Sequence, residues 1–196
     1  MLGLMQDWPL RVSSIIDHAA KYHGGRPIVS RSVEGPVTHT TWDQVRTQAL
    51  KLAQALVRLG VKPGEVVGCM AWNTARHMEV WYGVPGAGAV LHSLNPRLSR
   101  EQLLYVINHA EDRWLFCDLD LVPILEAVAD DLPLVRGYVI MTDRAHMPET
   151  TLPNAHCYEE ITGAETGDAA WVAVDERAVL HQPAVKRHRG RQSVDA

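Results

Sequence analysis

The chain has 196 residues, and its 19 Lys+Arg against 23 Asp+Glu give a formal charge of −4. With 46% hydrophobic and 21% charged residues it can bury a sizeable core, which excludes disordered, collagen-like, coiled-coil and mucin-like chains and suits one domain or part of a larger one. The charge is uneven: Lys186, Arg187, Arg189 and Arg191 against Asp195 put +3 on residues 181–196, leaving −7 on the first 180.

At the N-terminus Met1 to Met5 is apolar but runs into Asp7 with no basic segment before it, so no signal peptide is expected. Ser13 or Ser14 is placed to cap a helix through Tyr22, with Ile15, Ile16, Ala19 and Ala20 as its apolar stripe and Gly24-Gly25 as its stop. Pro27–Arg31 and Val37–Thr41 bracket the turn signal Glu34-Gly35-Pro36 and read as a β-hairpin. From Thr41, Trp42, Val45, Ala49, Leu52, Ala53, Leu56 and Leu59 recur at three and four, which predicts a helix stopped by Gly60.

Beyond Lys62-Pro63-Gly64-Glu65, the apolar run Val66 to Ala71 predicts a buried strand, and Asn73-Thr74 opens another helix. The pattern repeats with a strand at Ala87 to Leu91, a helix from Leu98-Ser99 through His109, and a strand at Trp114 to Cys117. In that helix Ser99-Arg100-Glu101-Gln102 is a capping box. A helix over Leu119 to Ala129 and a strand over Gly137 to Met141 follow. Strands alternating with helices imply right-handed crossovers and an α/β fold, with a mostly parallel sheet flanked by helices and the small hairpin beside it. Thr142 to Asp175 reads as a surface connection with a short helix at Tyr158 to Ile161, and the polar, basic segment from Gln182 is expected to be disordered.

Few residues carry a chemical signature. The 10 histidines include no i, i+4 pair; His18 and His23 are five apart, His39 is isolated, and His77 precedes Glu79 by two, so no metal site is predicted. Cys69, Cys117 and Cys157 are odd in number and widely spaced, as expected of free thiols in a reducing cytoplasm. The longest apolar run, Val80 to Leu91, is interrupted by glycines and proline and is too short for the roughly 30 Å of a bilayer core, so no membrane span is expected. Gly83, Gly86 and Gly88 lie within or after a helix, where they serve close packing against the sheet better than phosphate binding. The basic tail lacks interleaved aromatics and sits on an acidic chain, so no nucleic-acid partner is predicted.

In an open α/β sheet the loops leaving strand carboxyl ends line the ligand crevice, which makes Asn73, His92, Ser93, Asn95 and Arg97 candidate polar residues. Turn chemistry explains the same residues more simply: Asn73 and Asn95 cap or turn the backbone, Pro96 fixes the loop, and Arg97 pairs locally.

Thr41-Trp42 at a helix start, Leu59 to Val67, Asn73, Val84 to Leu98 and Ile107-Asn108-His109-Ala110-Glu111-Asp112 together resemble the N-terminal region of AMP-dependent acyl-CoA synthetases, above all medium- and long-chain fatty-acid CoA ligases. The resemblance covers residues 8–178 and implies part of an AMP-binding domain, with residues 179–196 as a separate basic tail. Full-length members join a fatty acid to coenzyme A through an acyl-adenylate, using ATP and magnesium. The family's Gly/Ser/Thr-rich phosphate loop is expected shortly after Asp175 to Ala178, where this chain has Lys186-Arg187-His188-Arg189-Gly190 instead.

Read one nucleotide forward, suitable codons for Lys186 to Arg191 give Ser-Gly-Thr-x-Gly, which points to a frameshift. On this reading the chain holds no catalytic, cofactor-binding or metal-binding residue, is inactive alone, and belongs to lipid metabolism in the cytoplasm. Asn73, Asn95 and Arg97 are then scaffold residues. An incomplete sheet also favours self-association through its open edge, and a non-catalytic binding module or pseudogene product is the alternative.

Overall fold

A computed structural model describes Leu4 and residues 8–182, so the expected disorder of the basic tail beyond Gln182 lies outside the described residues. Helix α1 (Val12–His23) begins at Arg11, whose extended backbone forms the cap without a side-chain bond. The expected serine cap is therefore corrected, because Ser13 and Ser14 already lie in the first turn. Its inner stripe is Val12, Ile16 and Ala19, whereas Ile15, expected inside, is 57% exposed.

Strands β1 (Pro27–Arg31) and β2 (Val37–Thr41) pair antiparallel from Pro27↔Thr41 to Arg31↔Val37, the predicted hairpin. Thr41 then caps α2 (Trp42–Arg58) in a full capping box with Gln44, satisfying two backbone N–H groups that a helix start otherwise leaves unpaired. Gly60 ends that helix at φ +79°, a conformation that disfavours side chains.

The alternation continues through β3 (Val66–Met70), α3 (Ala75–Gly86), β4 (Val90–Ser93), α4 (Arg100–Ala110), β5 (Asp112–Cys117), α5 (Val122–Glu126), β6 (Gly137–Ile140), β7 (Ala155–Cys157), α6 (Tyr158–Gly163) and β8 (His181–Gln182). Ser99 and Gln102 form the predicted capping box of α4. Several boundaries differ from expectation, three of them for a clear reason. Strand β4 starts later than Ala87, because Ala87 caps α3 and Gly88 turns at φ +78°. Strand β5 starts earlier than Trp114, with Asp112 paired to Val66. Helix α5 does not run from Leu119, since Pro123 has no N–H to bond backwards and is tolerated only in a first turn; single 3₁₀ turns at Leu119–Leu121 and Ala129–Asp131 flank it.

Six strands form one sheet in the order β7-β6-β5-β3-β4-β8, and each pairing in it is parallel. Its inner strands β3, β5 and β6 are buried on both faces, so apolar residues run almost continuously along them instead of alternating with polar ones. Val67, Cys69, Leu91, Trp114, Phe116 and Val139 face α2 and α3. Met70, Leu115, Cys117, Tyr138 and Ile140 face α4 and α5.

The stretch predicted as a surface connection, Thr142 to Asp175, is partly interior: Leu152, Tyr158 and Ile161 are buried, and Trp171 packs against the α2–α3 layer. Glycines 83 and 86 pack helix α3 closely, though not against the sheet as expected. A Cβ on Gly83 would lie 2.9 Å from the Ala49 carbonyl oxygen of α2, and one on Gly86 would lie 2.4 Å from the Trp171 ring.

Candidate functional site

The chain leaves β3 through α3 to β4 on one side, then crosses back through α4 to β5 on the other side of β3. This reversal makes the carboxyl ends of β3 and β5 the switch point of a doubly wound sheet, where such folds bind ligands. Two hydrogen bonds from Trp72 brace it: its backbone N–H donates to Asp118 Oδ2 at 2.6 Å, and its indole donates to Asp120 Oδ2 at 3.0 Å. Asp118 is buried, and burial pushes its carboxyl up to about 6, with Asp120 adding and the Trp72 N–H opposing.

Beside this switch point lies a cavity of about 360 Å³ between the hairpin, the start of α3 and α6, lined by Ser32, Thr38, Gln48, Arg76, Glu79 and Asp118 among others. Thr74, not Asn73, caps α3 by accepting from the His77 N–H, which places Arg76 in the first turn facing the cavity. One guanidinium nitrogen of Arg76 donates to Glu34 Oε1 at 2.7 Å and to the Met141 carbonyl oxygen at 3.1 Å, and the other donates to Glu159 Oε1 at 2.6 Å. Burial works against the Arg76 charge, but the bonds to Glu159 and Glu34 outweigh it and hold arginine more firmly protonated than usual. Burial also opposes ionisation of Glu34, while its own backbone N–H, Thr142 and Arg76 bring its carboxyl below the ordinary value.

Glu79 behaves differently. It is 7% exposed and accepts from the Tyr158 hydroxyl at 2.8 Å, yet burial dominates and lifts its carboxyl to about 7. The cavity is therefore lined by a fixed cation, Arg76, which Glu34 pairs from outside the lining, and by Glu79, a carboxyl poised to gain or lose a proton near neutrality.

The candidates from the sequence are not gathered there. Asn73 is exposed. Asn95 turns the loop after β4 by accepting from the Arg97 N–H at 2.9 Å. Arg97 is exposed and, among the described residues, makes no ion pair, so the expected local pairing is corrected. His92 turns into the sheet, where Nδ1 lies 2.9 Å from Asp112 Oδ2 with both side chains buried. Ser93 Oγ lies 2.9 Å from His181 Nε2, a contact available because β8 joins β4 in parallel.

Arg76 and Glu79 belong to the segment after β3 that the strand-end rule marks, and the same rule applied to β5 identifies Asp118. Glu34 sits in a hairpin turn and carries no such signal. Glycines 83, 86 and 88 do not fit a phosphate: protein atoms fill the space above them, with Val172 Cγ1 3.0 Å from a Cβ built on Gly88. The three cysteines are buried and unpaired, and among the described residues no helix is long and apolar enough to cross a membrane.

The fold and switch point define a doubly wound α/β layer. A family model described as AMP-binding enzyme matches residues 16–184, and the chain belongs to that family. It is 43% identical over 176 residues to a 3-methylmercaptopropionyl-CoA ligase of Ruegeria lacuscaerulensis, covering 90% of this chain and 33% of that protein. It is 41% identical to a medium-chain-fatty-acid CoA ligase of Ectopseudomonas oleovorans, covering 90% and 32%. Among solved structures, the anthranilate CoA ligase AuaEII in complex with anthranoyl-AMP superposes with a TM-score of 0.73 at 17% identity, covering 87% of this chain and 31% of that one. The chain thus spans about a third of the length of the curated relatives it matches.

Proposed function

We propose that the chain is the amino-terminal scaffold of a fatty-acid CoA ligase, which with the remainder of such a ligase activates a fatty acid with ATP and magnesium and transfers it to coenzyme A. The carrying observation is the family match over residues 16–184, joined to identities above 40% with two acyl-CoA ligases. The described residues contribute the parallel sheet, the packed α2–α3 layer and the brace at the switch point. Alone, the 196 residues are inactive.

Three free buried cysteines favour a reducing, cytoplasmic setting, and the short β8 at the sheet edge favours self-association. Residues 182–196 are read as an out-of-frame tail, which sequencing of the coding DNA tests by the presence of a ligase-like continuation in another frame.

The test of function is a chimera in which residues 8–178 replace the matching third of the medium-chain ligase. It is expected to form acyl-CoA from a fatty acid, ATP and coenzyme A, while the purified chain releases no pyrophosphate above background. A folded but inactive chimera, or turnover by the chain alone, overturns the reading.

A further inference from the structure

We infer that Glu34, Asp143 and His146 form a binding site for a divalent first-row transition cation of the zinc class. One ligand atom from each of the three lies within 4.8 Å of the others, and a carboxylate-carboxylate-imidazole set suits such a cation, being too nitrogen-bearing for a dedicated calcium cage. Glu34 comes from the hairpin turn, while Asp143 caps and His146 ends the 3₁₀ turn Arg144–His146 that follows β6. The residues are distant in sequence, so histidine spacing cannot reveal them.

An independent feature of Glu34 points to a ligand. Its side chain is 4% exposed, and Oε1 is already engaged by Arg76 and Thr142 at 2.7 and 2.8 Å. The second oxygen, Oε2, is buried without a hydrogen-bond partner. An ionised buried oxygen left without a partner is costly, and a cation held with Asp143 and His146 would remove that cost. The two bonds to Oε1 fix the orientation of the carboxylate, as outer partners do around metal ligands.

Asp143 accepts from the His146 N–H at 2.9 Å and lies 2.8 Å from its Nδ1, which holds aspartate and imidazole together on one turn. Arg76 brings positive charge close, but Glu159 takes its other nitrogen, and with Glu34 and Asp143 the local carboxylates outnumber it. A bound cation would tie the hairpin to the end of β6, on the rim of the cavity beside the switch point.

The test uses the 196-residue chain titrated with Co²⁺, read by its visible absorption, and then with Zn²⁺ as competitor. One saturable Co²⁺ site displaced by Zn²⁺ is expected. His146→Ala, at an exposed position that leaves the core intact, and Glu34→Gln, which keeps the shape of the side chain, should each weaken Co²⁺ binding by about tenfold or more. A double His18→Ala/His23→Ala variant should not. Circular dichroism confirms that each variant is folded. No saturable absorption, or unchanged affinity in either folded ligand variant, shows an adventitious ion only and overturns the site.

Discussion

Glu79 shows how one buried carboxyl makes stability depend on pH. Its carboxyl is lifted from 4.5 to about 7 by burial, so between these values the folded chain holds a proton that the unfolded chain has released. Folding stability therefore falls as pH rises through that window, by about 3 kcal/mol for a shift of this size, and is flat above it. Glu79→Gln keeps an acceptor for the Tyr158 hydroxyl and removes the charge. It is expected to be more stable than the parent at pH 8, with the difference shrinking toward pH 4.5, as read by urea denaturation across pH; a pH-independent difference refutes the assignment.

His92 illustrates what single residues conceal in a sequence. The sequence makes it a crevice candidate because it follows the strand predicted to end at Leu91, yet it lies within β4 and reaches back over β3 to Asp112 on β5. That contact needs Gly68 between them, where a Cβ would sit 2.8 Å from Asp112 Oδ2 and 2.5 Å from Leu115 Cδ2. The partner across a sheet depends on strand order, and no local spacing encodes strand order.

At the scale of elements, those with their own local chemistry were legible. Helix α2 has a threonine cap, a glutamine three residues later, period-3.6 apolar positions and a terminal glycine, each agreeing with the others. Helix α1 has two serines near its start but Arg11 at its cap, so local pattern places its entry too late, and of the expected stripe Ile16 and Ala19 pack inward while Ile15 does not. Strand β7 has three residues, too few for a pattern, and is set by pairing with β6.

Removing a cap should separate the two helices. Thr41→Ala is expected to cost about 1 kcal/mol, because it leaves the Gln44 N–H without its acceptor, whereas Ser13→Ala should change stability by less than about half that. Thermal melts of both variants measure it, and equal losses contradict the capping assignment of α1.

Across the whole molecule, the return segment after α6 straps the layers together. The Trp171 indole donates to Asp17 of α1 at 3.1 Å, the Val172 N–H donates to the Gly86 carbonyl oxygen at 2.8 Å, and Arg58 of α2 bonds Glu165 at 2.6 Å. Trp171→Ala removes a ring packed on Gly86 and is expected to cost about 3 kcal/mol and to speed proteolysis within residues 164–180. An unchanged melt and cleavage pattern would show that the strap contributes nothing.

Strand β3 is flanked by β5 on one side and β4 on the other and covered by helices on both faces. Its amides can meet solvent only when the sheet itself opens. Deuterium uptake at Val67 to Cys69 therefore reports the free energy of the entire layer, while uptake at β8 reports only the fraying of one edge. The same chain thus carries its own internal standard for whether a larger partner, once joined, steadies the edge or the centre.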